Sequence, residues 1–141
     1  MRTSGFDHVS LPTADPEALI EFYRSLGFPI VFEQEWRAGE KRFFAILVGP
    51  DAKLNVHPPE LWQDESFKLR GPTALPGCTD ICLRFDGTVE EAQAWLEAAG
   101  APLEAGPYEQ PGGAGGGVRR GVSVYTRDPD GNLVEFMTYP D

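Results

Sequence analysis

Cationic side chains are scarce in this sequence: 12 Lys and Arg stand against 22 Asp and Glu, for a formal charge of −10. Gripping nucleic acid takes a basic face that displaces counterions from phosphate, so that partner class is excluded, and an anionic membrane surface is disfavoured for the same reason. No apolar run approaches the roughly 20 residues of a membrane span. The first residues also lack the apolar stretch of a secretory leader, which makes a reducing cytoplasm the expected compartment. Cysteine is equally sparse. Cys78 and Cys82 would share one face of a strand about 13 Å apart, beyond disulfide reach, and they lack the CxxC spacing of a zinc or redox motif. The tract from Gln110 to Gly117 is nearly all glycine and proline but has no Gly-Lys-Ser/Thr ending to cradle a phosphate. It reads as a flexible hairpin tip or as a mobile lid over residues 111–117.

What is present points to a folded globule. With 141 residues, 41% of them apolar, three Trp and nine Phe, the chain can bury a core as a single domain over 1–141. It contains two unequal copies of one unit: module one over about 5–57, a linker over 58–77, and module two over about 78–138. Each copy opens with a short strand, Phe6 to Leu11 and Thr79 to Arg84, and continues into a helix. The first helix starts at Asp15-Pro16-Glu17, with a cap before a first-turn proline, and stops at Gly27. In the second, Thr88 and Glu91 have capping-box spacing, Val89, Ala92, Trp95 and Leu96 make the apolar stripe, and Gly100 is the stop. Strands are expected at Pro29–Phe32, Arg42–Val48, Lys53–His57 and Val118–Thr126, with a short helix between Glu60 and Lys68. The order is β-α-β-β-β, twice.

Alternation on the strands places His8 and Ser10 opposite Val9 and Leu11, and Asp80, Cys82 and Arg84 opposite Ile81, Leu83 and Phe85. The helices carry the only matching apolar stripes, so they cover the apolar faces, and the polar faces line a concavity. Asn55, His57, Leu133, Glu135 and Met137 complete its wall. His8, His57, Asp80 and Glu135 then occupy equivalent places in the two copies, and His, His and carboxylate is a donor set for a divalent metal. The rival reading is a His–carboxylate hydrogen-bond network in a ligand pocket.

These residues resemble the vicinal oxygen chelate superfamily, the glyoxalase, bleomycin-resistance and extradiol dioxygenase group. The resemblance rests on Phe6-Asp7-His8-Val9-Ser10-Leu11, on the helix ending Phe22-Tyr23-Arg24-Ser25-Leu26-Gly27-Phe28, and on the run Tyr125 to Glu135 with its Asp-Pro-Asp-Gly turn. Lys53-Leu54-Asn55-Val56-His57 further resembles the small glyoxalase-domain-containing proteins. The resemblance implies an α+β fold of paired βαβββ modules forming a curved, incompletely closed mixed sheet around a central cavity, with helices outside. It also implies a homodimer and a metal-dependent lyase, isomerase or dioxygenase acting on a small oxygenated substrate. The metal would be Fe, Mn, Ni or Zn, held by His8, His57, Glu135 and Asp80, with Glu135 or Asp80 moving the proton. Ser10, Asn55, Arg84, Tyr125 and Met137 would line the substrate pocket, and Arg84 would meet a substrate carboxylate or else pair with Asp80 or Glu135. The alternative is a non-catalytic protein that binds and sequesters an antibiotic-like molecule, with Trp36 and Phe44 among the pocket walls.

Overall fold

A computed structural model describes all residues, 1–141. The chain divides into two compact units, Met1–Cys78 and Thr79–Asp141. Each unit carries one open four-stranded mixed sheet with helices, an α+β arrangement in which neither sheet closes into a barrel.

In the first unit β1 (His8–Pro12) is followed by α1 (Pro16–Ser25), β2 (Ile30–Val31), α2 (Glu33–Arg37), β3 (Phe44–Gly49), β4 (Ala52–His57) and α3 (Pro59–Trp62). The sheet order is β1-β4-β3-β2, with β1 parallel to β4 and the other pairs antiparallel. Asp15 caps α1 by accepting from the Ala18 amide at 3.1 Å, Pro16 needs no partner for its missing N–H, and Arg24 sits at the negative end. The helix stops as Gly27 turns to φ +90°. Leu19, Ile20 and Tyr23 on α1, and Leu11, Phe44, Ile46, Leu54 and Val56 on the strands, form this unit's core.

Two features of this unit differ from the sequence reading. The strand expected through Phe32 ends at Val31, and a short helix follows that has no capping side chain to announce it. Ion pairs hold α2 instead: Arg37 pairs with Glu33 and with Glu17 of α1, and Glu33 also pairs with Arg24. The short helix expected between Glu60 and Lys68 is α3, one turn that begins at Pro59, and the Trp62 indole N–H ties it down by donating to the Thr13 carbonyl at 2.9 Å.

In the second unit the order is β5 (Asp80–Arg84), α4 (Val89–Ala98), β6 (Ala105–Pro111), β7 (Arg120–Arg127) and β8 (Leu133–Thr138), arranged β5-β8-β7-β6 with β5 parallel to β8. The Thr88–Glu91 capping box forms as expected, both of its hydrogen bonds being present. Ala92 and Leu96 are buried, while Val89 and Trp95 are half-buried. Trp95 lies edge-on to Phe136, 4.9 Å between ring centroids. The glycine- and proline-rich tract is more ordered than its composition suggests. Gln110 and Pro111 belong to β6, an edge strand, where a proline removes no needed donor. The segment Ala114–Gly117 is a tight turn closed by hydrogen bonds from Gly112 to the Arg119 carbonyl and from Arg119 to the Ala114 carbonyl.

Candidate functional site

Strand registers decide which side chains share a face. In the first sheet His8 is opposite Lys53, Ser10 opposite Asn55, and Pro12 opposite His57. In the second, Asp80 is opposite Leu133, Cys82 opposite Glu135, and Arg84 opposite Met137. Asn55, not His57, is therefore the counterpart of Glu135, and His57 corresponds to Met137. The expected equivalence of His57 and Glu135 is wrong by two residues. The apolar pairs Leu54/Val56 and Val134/Phe136 reveal the correct alignment, because each flanks the residue that matters. The connecting turns give no guide to it: β3 and β4 are joined by Pro50-Asp51 alone, whereas β7 and β8 are joined by residues 128–132.

The register also separates the two histidines. His8 pairs with Lys53 and His57 with Pro12, so they stand four residues apart along parallel strands, about 13 Å. Side chains stand roughly perpendicular to a sheet, so imidazoles at these two positions do not converge on one ion with bonds of about 2 Å. Their surroundings differ as well. The His8 ring is 46% exposed, and its Nδ1 donates to the Asp7 carboxylate at 2.7 Å. His57 is buried, packs against Phe67 with 5.3 Å between centroids, and is held neutral to lower pH than an ordinary histidine by desolvation and by Arg70. Within neither unit do three or more His, Cys, Asp and Glu side chains gather as a metal would require. Beside His57, the Asn55 Oδ1 is buried with no donor.

The second sheet's polar face is more elaborate. Cys82 and Tyr125 flank Glu135 on the neighbouring strands, and Arg84 and Ser123 flank Met137. The Gln110 side-chain amide reaches across from β6 to the Glu135 carboxylate, the Tyr125 hydroxyl at 2.9 Å and the Ser123 hydroxyl at 3.0 Å. Gln110 was not singled out in the sequence, since its strand was hidden in the glycine-rich run. Asp80, at the start of β5, is exposed. Desolvation, then Glu135 by charge and hydrogen bond, then Asp80 push the Cys82 thiol up to about 12. Cys82 is therefore no nucleophile at neutral pH, although its surface is open. As an expected outcome, iodoacetamide at pH 8 modifies exposed Cys78 well before Cys82. Peptide mapping that finds the two alkylated at equal rates would contradict this placement.

Beside Cys82 lies a cavity of about 280 Å³ lined by Cys82, Arg84, Met137, Tyr139 and the Gly112–Ala114 turn. The Arg84 guanidinium stacks on the Tyr139 ring at 4.7 Å, with Arg119 at 5.1 Å from the same ring. The expected alternative for Arg84, an ion pair with Asp80 or Glu135, does not form, and no carboxylate of the chain pairs with it. The Tyr139 hydroxyl accepts from the Ala114 amide at 3.2 Å and sits where a Cβ at Gly112 would be. Glycine is needed there so that the turn can close against the ring. Of the aromatic walls expected for a binding protein, Phe44 is core, and Trp36 packs on it while lining a separate cavity of about 480 Å³ with Arg37, Gly39, Lys41, Arg42 and Glu60.

Comparison with known proteins agrees with this architecture. Residues 5–136 match the family described as Glyoxalase/Bleomycin resistance protein/Dioxygenase superfamily. The chain is 30% identical over 135 residues to the glyoxalase domain-containing protein RDO1 of Mycosarcoma maydis, covering 96% of this chain and 68% of that protein. It is 31% identical over 135 residues to the virulence protein STM3117 of Salmonella typhimurium, covering 94% and 83%. The crystal structure of STM3117 superposes with a TM-score of 0.79 at 30% identity, over 99% of this chain and all of that one. TnmS3, an antibiotic binding protein from Streptomyces sp. CB03234, superposes with a TM-score of 0.70 at 25% identity over 99% of both chains. The chain belongs to the Glyoxalase/Bleomycin resistance protein/Dioxygenase superfamily.

Proposed function

We propose that this chain is a small-molecule-binding protein whose ligand is an oxygenated organic acid seated on the polar face of the second sheet, with Arg84 as its anchor. The observation that carries the reading is a guanidinium that faces a cavity, stacks on Tyr139 and has no carboxylate of its own. An arginine fixed by stacking has lost part of its freedom already, so a carboxylate meets a preorganised fork. Hydroxyl groups on the ligand can donate to Glu135 or exchange with the Gln110 amide, which has two hydrogens for three acceptors in reach. At about 280 Å³ the cavity falls just below the usual range of about 300–1,000 Å³, which suits a ligand of one ring. The likeness to an antibiotic binding protein favours binding without turnover. The test is calorimetric titration with salicylate, which carries a carboxylate and an adjacent hydroxyl, against phenol, which lacks the acid. Saturable binding of salicylate alone supports the reading, and equal behaviour of the two opposes it.

One observation favours a second reading, that of a metal-dependent enzyme. A metal-binding imidazole typically donates its other N–H to a carboxylate, and the His8–Asp7 couple has that arrangement, with Nε2 left free to ligate. A divalent metal there would act as a Lewis acid on a ligand oxygen. His8 would hold it, and His57 takes no part. The expected outcome on this reading is that His8→Ala loses nearly all transition metal retained after reconstitution, while His57→Ala keeps it. Metal analysis showing equal loss in both variants, or none bound by the unmodified chain, removes this reading.

A further inference from the structure

Two ammonium groups of the first unit are crowded onto one pair of aromatic rings. The Lys41 Nζ lies 4.5 Å from the centroid of Phe32 and 5.5 Å from that of Phe43. The Lys53 Nζ lies 5.3 Å and 5.9 Å from the same two centroids. The rings themselves are 6.1 Å apart at 73°. Both lysines are half-buried, and neither takes part in any of the chain's ion pairs. In a chain with 22 acidic residues against 12 basic ones, two neighbouring cations without a carboxylate go against composition. Like charges repel, and partial burial strips water from each. Attraction to the ring faces offsets part of that cost. An anion between them would offset the rest.

The backbone supplies a second, independent observation. Phe32 has φ +65° and ψ 19°, and it is the chain's only residue other than glycine with positive φ. A bulky side chain in the left-handed region is strained, and such strain persists where surrounding structure enforces it, often at ligand sites. Here the conformation turns the chain from β2 into α2 and sets the Phe32 ring beside both ammoniums.

We propose that Lys41 and Lys53, walled by Phe32 and Phe43, form a binding site for a phosphate monoester with an aromatic body. Ammonium groups are compact point charges that suit the rounded, doubly charged phosphate, whereas a planar carboxylate is better met by arginine. The two rings take the organic part. This site is separate from the Arg84 cavity and does not rest on the reading given for it.

The probe is phenyl phosphate, titrated calorimetrically into the full chain and into an Arg84→Met chain, in which the second-sheet cavity no longer contributes. Binding in both is expected, with inorganic phosphate weaker because the rings go unused. Lys41→Met and Lys53→Met, which keep the apolar stem, should each weaken phenyl phosphate at least tenfold, and the double variant should abolish it. Circular dichroism confirms that each variant is folded. Absence of binding to the unmodified chain at millimolar phenyl phosphate overturns the proposal, as does unchanged affinity in the folded double variant. Binding that disappears in the Arg84→Met chain while surviving the lysine changes assigns the phosphate to the other cavity, and overturns it too.

Discussion

Arg84→Met is expected to weaken salicylate binding by about 10- to 100-fold while leaving the thermal midpoint almost unchanged. A hydrogen bond to a charged group contributes about 1.5–3 kcal/mol, and each 1.4 kcal/mol is a factor of ten in affinity. Methionine keeps apolar contact with Tyr139 but removes every donor. Loss of the stacking interaction itself costs only about 0.5–1 kcal/mol at an open site, which is why stability should hardly respond. The chain's overall charge of −10 works against an anionic ligand at long range. Physiological salt limits that repulsion to about 8 Å, so the local guanidinium decides. Calorimetry on the two chains at 0.15 M salt measures the effect directly. An affinity within twofold of the unmodified chain would remove Arg84 as anchor, and with it the proposed site.

The sheet faces were legible because strand alternation is strict. Asp80, Cys82 and Arg84 share one face, as do Leu133, Glu135 and Met137, and the apolar partners Val134 and Phe136 are buried on the other. Helix ends were legible for a local reason: Asp15 and Thr88 are capping residues whose hydrogen bonds close within three positions. What failed was long-range. Position along a strand is fixed by pairing with a strand distant in sequence, and the register against β1 and β5 moved His57 out of the place assigned to it. Helix α2 was invisible because its support comes from Glu17 and Arg24, far away in sequence, and because a phenylalanine occupies a backbone conformation that residue type rarely adopts. Gln110 was missed since a glycine- and proline-rich run suggests a loop, yet an edge strand tolerates Pro111.

The corrected register gives the two polar faces opposite chemical characters. In the first sheet the positions are His8, Lys53, Ser10, Asn55 and His57, with Lys53 the one permanent charge and no carboxylate among them. In the second they are Asp80, Cys82, Glu135 and Tyr125, with Arg84 the one basic group beside them. Repetition of the unit conserved the apolar skeleton while the outward-facing positions diverged. An alternating strand allows this, because each face changes without disturbing the other. A symmetric four-ligand centre requires the copies to agree at those positions, and at Asn55/Glu135 and His57/Met137 they do not.

Phe136→Ala is expected to be the most damaging single change in the second unit, at about 3–5 kcal/mol. The ring is 1% exposed, lies between Leu83 and Val124 on the neighbouring strands, and packs edge-on against Trp95 of α4. Removing it leaves a void against α4 that the sheet cannot close, because β8 is hydrogen-bonded on both sides. Against a total stability of about 5–15 kcal/mol that is a large share, so the thermal midpoint should fall by about 10 °C or more. Phe85→Ala, at a half-buried ring 5.2 Å from the same tryptophan, should cost clearly less. β8 carries Phe136 on the face covered by α4 and Glu135 and Met137 on the other, so the loosened strand should also weaken salicylate binding, whereas Arg84→Met weakens binding without melting the fold. Denaturant unfolding followed by tryptophan fluorescence separates the two. A Phe136→Ala chain destabilised by less than about 1 kcal/mol would show that this ring does not anchor the face on which the ligand is proposed to sit.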